Sequence, residues 1–126
     1  YGIIGTGMMG CEHIRNLALI PGVEVVAIAD ANATSRNWGR LAVGRDVEMY
    51  EDHRELLRRA RVDAVVVATP NFTHHDVLQA IFETREDKLV YLRADAKVAY
   101  GTVAKTLAIL RGAGATSIGM VTEPEA

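Results

Sequence analysis

Tyr1-Gly-Ile-Ile runs as an apolar strand into Gly5-Thr6-Gly7-Met8-Met9-Gly10, and an acid, Asp30, closes the next apolar run twenty residues after Gly10. Strand, G-x-G-x-x-G, helix, strand and terminal acid constrain the fold more than any other feature of the chain. Each part has a physical task. Gly5 permits a tight turn out of the strand. Gly7 has no side chain, so a pyrophosphate can approach the backbone. Gly10 lets the helix lie close to the sheet. The helix N-terminus offers N–H groups and the positive end of its dipole to phosphates. A carboxylate at Asp30 accepts from a ribose diol and repels a 2′-phosphate, so NAD is favoured over NADP. The expected cofactor-binding residues of this half are Gly5, Thr6, Gly7, Met8, Met9, Gly10 and Asp30. Ser35 and Arg36 lie close enough in sequence to bear on that preference. Arg36 is read as a solvated helix residue.

The rest of the chain alternates apolar runs with helical patterns. Strands are expected at 1–4, 23–29, 47–50, 63–69, 88–93 and 117–121. Helices are expected at 11–19, from a cap at Thr34 or Ser35 to 43, at 51–60, from a Thr73 cap to 84, and at 100–111 with a stop at Gly112 or Gly114. Runs such as Ala64-Val-Val-Val-Ala68 show almost no polar alternation, which suits a parallel sheet covered on both faces. The expected fold is therefore a doubly wound, mainly parallel α/β sheet, Rossmann-like, in one domain spanning 1–126. Its strand order would be 3-2-1-4-5-6, with the ligand crevice at the C-terminal ends of strands 1 and 4.

Composition removes several functional classes. Net charge is -2, so no basic surplus points to nucleic acid, and no apolar run reaches the ~18 residues of a membrane helix. No signal peptide is visible, and one cysteine, Cys11, fits a reducing compartment, so a cytoplasmic location is expected. The chain starts at its first strand without Met and reads as trimmed there. His13, His53, His74 and His75 are scattered over different elements, and no metal site is expected. Cys11 reads as a small packing residue and Trp38 as partly buried core. Asp95 and Glu123, at strand ends, read as loop or capping residues.

Residues 1 to about 83 resemble the Rossmann domain of the Gfo/Idh/MocA oxidoreductases. The matching pieces are Gly5-Thr-Gly7-Met-Met-Gly10, Val26-Ala-Ile-Ala-Asp30, Tyr50-Glu-Asp52 and Ala68-Thr69-Pro70-Asn71-Phe-Thr-His74. The resemblance implies that Thr69, Pro70, Asn71 and His74 lie against the cofactor near the nicotinamide ribose. That family then has a strand ending in Glu-Lys-Pro with a catalytic Lys. This chain has Lys88-Leu-Val-Tyr-Leu-Arg93-Ala-Asp95, with Arg93 roughly at the Lys position. Arg keeps its proton and cannot act as a general base. No catalytic residue is expected.

From about residue 84, Val90-Tyr-Leu-Arg-Ala-Asp95, Tyr100-Gly101, Leu110-Arg-Gly-Ala-Gly114 and Val121-Thr-Glu-Pro124 resemble the end of the periplasmic domain of ExbD/TolR-type proteins. Two resemblances in one small chain lead to the expectation of an engineered chimera joined between Asp76 and Asp87. It would be catalytically silent and retain weak NAD binding. Two alternatives stay open: the NAD(P)-binding domain of an oxidoreductase without its substrate domain, and a protein-interaction module using an exposed sheet edge.

Overall fold

A computed structural model describes residues 1–70, 73–84, 89–94, 100–115 and 117–122. The elements are β1 (Gly2–Ile4), α1 (Met8–Leu17), β2 (Ala27–Ala29), α2 (Ala33–Val43), β3 (Glu48–Tyr50), α3 (His53–Arg59), β4 (Val65–Val67), α4 (His74–Thr84), β5 (Leu89–Ala94), α5 (Tyr100–Gly112) and β6 (Ser117–Thr122). They form two compact units, Tyr1–Thr73 and His74–Ala126.

In the first unit four strands pair in the order β3-β2-β1-β4, every pair parallel. That is the first part of the expected order. Ile3 of β1 stands between Ile28 of β2 and Val66 of β4, so the strand ends that carry Gly5, Asp30 and Ala68 fall on one edge. Main-chain bonds tie that edge together: Gly5 N donates to Ala29 O at 2.8 Å and Ala68 N to Ile4 O at 2.8 Å.

The two faces of this sheet are both covered, which is why its strands lack polar alternation. Ile3, Ile14, Val25 and Ile28 form one buried cluster, joined by Leu17, Ala42, Val43, Val47 and Val66 from α1, α2 and neighbouring segments. Ala27, Ala29 and Leu56 form the other, with Tyr50, Leu57, Ala60 and Val65 around them. Ala27 and Ala29 share one face and Ile28 takes the opposite one, the period-two pattern of a strand. Small residues on the α3 side let Leu56 sit fully buried.

The helix starts follow local chemistry and differ from the expected ones by a few residues. Asn32, not Thr34 or Ser35, caps α2: its side-chain oxygen accepts from Ser35 N at 3.0 Å. Thr34 and Ser35 lie inside the helix, whose first residue is Ala33, so they cannot cap it. Gly44, at φ 75°, ends α2 in the left-handed conformation. Asp52 caps α3 by accepting from Arg54 N at 2.9 Å. Trp38 is 51% exposed, contrary to the expectation of a partly buried core residue. The α2 position that packs inward is its neighbour Gly39, so Trp38 points away from the sheet.

In the second unit β5 and β6 pair in parallel, from Leu89↔Ser117 to Ala94↔Thr122. Val77, Leu78, Ile81 and Phe82 are buried along α4, and Leu110 along α5. The parallel-strand, Rossmann-like α/β class expected from the sequence is the class of this protein. No helix among the described residues is long and apolar enough to cross a membrane.

Candidate functional site: the glycine loop and Asp30

The loop between β1 and α1 is shaped by what its glycines lack. Gly5 has φ +96°, and a Cβ there would stand 2.6 Å from the Ala68 carbonyl oxygen. A Cβ on Gly10 would overlap the Gly5 carbonyl oxygen. These two glycines hold the turn and the helix against the sheet. Gly7 is different. A Cβ on it would meet nothing within 4 Å, and its φ of -70° suits any residue. The space beside Gly7 is open where a phosphate would approach.

Gly7 is the N-cap of α1 and has no side chain to close the helix end. The first intrahelical bond is Cys11 N to Gly7 O at 3.0 Å, so the N–H groups of Met8, Met9 and Gly10 precede it. Met8 and Met9 are 82% and 57% exposed, so neither is packed into the core. No acid stands in the first turn to compete with an anion for the helix end.

Asp30 lies at the end of β2 and clasps the loop. Thr6 N donates to its Oδ2 at 2.9 Å and Asn32 N to its Oδ1 at 2.8 Å. Each carboxylate oxygen keeps a further lone pair for a hydroxyl donor. Thr6 is fully buried, and its hydroxyl donates to Ser35 O at 2.7 Å. Thus the middle of the glycine loop is tied to both β2 and α2.

Two residues do what the sequence did not indicate. Gly39 lets α2 touch the loop: a Cβ there would lie 2.7 Å from Thr6 Cγ2 and 2.9 Å from Ile28 Cδ1. A helix-interior glycine with no motif around it gives no warning of this contact. Arg36, expected to be solvated, is instead 18% exposed. Its Nη1 donates to Asp30 O at 2.7 Å and its Nη2 lies 3.5 Å from Glu51 Oε1. The cause is the early start of α2, which swings its first turn back over the end of β2.

Cys11 is buried, as a packing residue should be, and its thiol donates to Thr6 O at 3.3 Å. Burial pushes the thiol above its ordinary pKa; Arg15 opposes this and Asp30 adds to it. A protonated, enclosed thiol is no nucleophile. At the end of β4, Thr69 and Pro70 lead away from Ala68, whose carbonyl faces Gly5. The Thr73 hydroxyl sits 2.7 Å from both Pro70 O and Thr69 Oγ1. His74 is the first residue of α4. Asn71, Asp95 and Glu123 lie outside the described residues.

The structure therefore brings Gly5, Thr6, Gly7, Met8, Met9, Gly10 and Asp30 to one sheet edge, with Thr69 and Pro70 on the neighbouring strand end. An open Gly7, an uncapped helix start and a half-exposed carboxylate are what a dinucleotide requires, and the residues fit that group.

Comparison with known proteins agrees. The Gfo/Idh/MocA profile, described as an oxidoreductase family with an NAD-binding Rossmann fold, matches residues 1–90. The inositol 2-dehydrogenase of Rubrobacter xylanophilus is 43% identical over 74 residues, covering 58% of this chain and 21% of that protein. Inositol 2-dehydrogenase 2 of Paenarthrobacter aurescens is 34% identical over 124 residues, covering 86% of this chain and 36% of that protein. Among solved structures, scyllo-inositol dehydrogenase from Lactobacillus casei with bound NAD(H) and scyllo-inositol superposes with a TM-score of 0.65 at 18% identity. It is matched over 94% of this chain and 34% of that one, and at this identity the likeness speaks for the fold alone. The chain spans roughly a fifth to a third of the length of the relatives it matches.

These matches give no support to a second, unrelated segment after residue 84. A relative aligned over 86% of the chain must have its match extend on both sides of 76–87 wherever it begins, so the expected seam falls inside the aligned span. The family profile itself continues to residue 90. Val90 to Ala94 belong to the strand β5, and an apolar strand this short resembles strands of unrelated proteins, those of the ExbD/TolR type included. Of the three readings open from the sequence, the cofactor domain of an oxidoreductase is the one that fits. The chain belongs to the Gfo/Idh/MocA oxidoreductase family and carries its NAD-binding Rossmann fold.

Proposed function

We propose that this chain is the cofactor-binding part of an NAD-dependent dehydrogenase that acts on an inositol-like cyclic polyol. The observation that carries the cofactor assignment is the Asp30 carboxylate, held by Thr6 N and Asn32 N beside the open Gly7. The polyol is supported by the names of the relatives, several of which are inositol 2-dehydrogenases.

NAD, when bound, supplies a hydride acceptor at its nicotinamide. The chain's own residues bind and orient it. The N–H groups of Met8, Met9 and Gly10 receive the pyrophosphate at the helix N-terminus. Asp30 accepts from the adenine-ribose hydroxyls. Thr69 and Pro70, with Asn71 and His74, border the nicotinamide ribose by analogy with the family. Arg93, which pairs with Val121 in the β5–β6 register, stands where the family has its catalytic Lys by count along the strand, and an Arg does not serve as a general base. On this reading the proton acceptor for the polyol hydroxyl belongs to another part of the full dehydrogenase.

Titration of NADH by fluorescence tests the cofactor assignment. Asp30→Ala is expected to weaken binding about 10- to 100-fold, since hydrogen bonds to a charged group are worth about 1.5–3 kcal/mol. Asp30→Asn, which keeps the shape, should weaken it less. Equal affinity in all three proteins, each folded by circular dichroism, would contradict the assignment. The polyol is tested separately, by NAD reduction with myo-inositol in the full-length protein. No turnover there would remove the substrate while leaving the cofactor reading intact.

A further inference from the structure

We infer that Glu51 is a positioning residue that sets the choice between NAD and NADP by holding the Arg36 guanidinium away from the ribose. The inference rests on the NAD reading of this site and goes beyond the Asp30 carboxylate.

The geometry is local to the C-terminal ends of β2 and β3. Ala29 and Tyr50 are paired in register, and Asp30 N donates to Tyr50 O at 3.1 Å. Asp30 and Glu51 therefore leave the sheet side by side. Arg36 comes over them from the first turn of α2 and is bonded to both segments: Nη1 to Asp30 O at 2.7 Å, Nη2 to Glu51 Oε1 at 3.5 Å. Two acids and one guanidinium leave a local charge of -1.

That arrangement discriminates by charge. A ribose 2′-hydroxyl is neutral and donates to Asp30. A 2′-phosphate brings a charge of about -1.5 to -2 at neutral pH and needs a cation. Arg36 is a cation already bonded to the Asp30 main chain, with a planar fork suited to a phosphate. It is spoken for. To reach a phosphate it would have to leave the Asp30 carbonyl and Glu51 together. Glu51 is the outer anchor, with its side chain 82% exposed against 18% for Arg36. An ion pair with so exposed a member contributes little to folding, so its removal leaves the guanidinium with the Asp30 carbonyl as its one remaining anchor of the two, freer to turn toward a phosphate, without dismantling the loop.

Calorimetric titration of NAD and NADP into the chain, Glu51→Gln and the double variant Glu51→Gln/Arg36→Met tests this. The readout is the ratio of the two Kd values, because a merely structural role would shift both alike. Glu51→Gln is expected to narrow the ratio several-fold in favour of NADP. The double variant is expected to restore it, since the cation is gone. An unchanged ratio in Glu51→Gln overturns the inference. So does a narrowing that persists in the double variant, which would reduce the effect to the lost charge of Glu51. Absence of saturable NAD binding by the unmodified chain would instead contradict the cofactor reading on which the inference stands.

Discussion

Gly10→Ala is expected to lower the melting temperature of this protein by roughly 10 °C and to weaken NAD binding, whereas Gly7→Ala is expected to weaken binding alone. A Cβ on Gly10 overlaps the Gly5 carbonyl oxygen, and Ala68 Cβ stands 3.8 Å behind. The Gly5 carbonyl is loop backbone and cannot swing aside as a side chain could, so α1 itself must lift. Cys11 and Ile14, buried on the same helix, would lose their contacts. Overpacking of this kind costs about 3 kcal/mol at the upper end of its usual range. For a chain of this size each kcal/mol is worth about 3–4 °C. Gly7 has no atom near its Cβ position and an ordinary φ, so its alanine variant should fold within about 0.5 kcal/mol of the parent. Its methyl group would occupy the space beside the helix N-terminus and weaken NAD by at least about tenfold. Differential scanning calorimetry and a cofactor titration on the two variants separate these effects. If Gly7→Ala binds NAD like the parent, the pyrophosphate does not lie where the loop geometry puts it.

Gly39→Val should damage the site from the far side, destabilising the fold by about 2–3 kcal/mol. Its Cβ would press on Thr6 Cγ2 at 2.7 Å and Ile28 Cδ1 at 2.9 Å, before the two added methyls are counted. Neither neighbour can step aside. Thr6 is fully buried, with its hydroxyl fixed on Ser35 O, and Ile28 is fully buried in the sheet. The small gain in helix propensity of Val over Gly, a few tenths of a kcal/mol, does not offset this. With α2 displaced, the Thr6 N to Asp30 clasp opens and NAD affinity falls as well. Urea unfolding followed by titration measures both. A Gly39→Val protein as stable as the parent would show that α2 does not rest on the glycine loop.

The parts of the site legible in the sequence are those whose cause is local. Gly5, Gly7 and Gly10 are spaced by the turn and helix they build. Asp30 is placed by the length of one strand–helix–strand unit, and the apolar runs of β1, β2 and β4 announce a sheet covered on both faces. Gly39 and Arg36 act through contacts that exist only once α2 has packed on the loop, and nothing beside them in the chain encodes that approach. Trp38 misled for the same reason: an aromatic in an amphipathic helix suggests core, but the face that packs is decided by where Gly39 falls. Asn32, Thr34 and Ser35 are all good cap residues within four positions, and the sequence alone does not choose among them. The second resemblance failed differently. Strand–helix units rich in Val, Leu, Ala and Gly look alike across unrelated proteins, so short matches within them identify an element and not an ancestry.

The central claim is that the Gly5–Gly10 loop and Asp30 together hold NAD. A titration of the 15N-labelled chain with NAD, followed by amide chemical shifts, tests it at the residues concerned. The account predicts saturable shifts at Thr6, Gly7, Met8, Met9 and Gly10, with Asn32 moving in step because its N–H is bonded to the Asp30 carboxylate. Amides of this loop that stay still up to millimolar NAD, in a folded protein, would contradict it. So would saturable shifts confined to residues elsewhere in the chain.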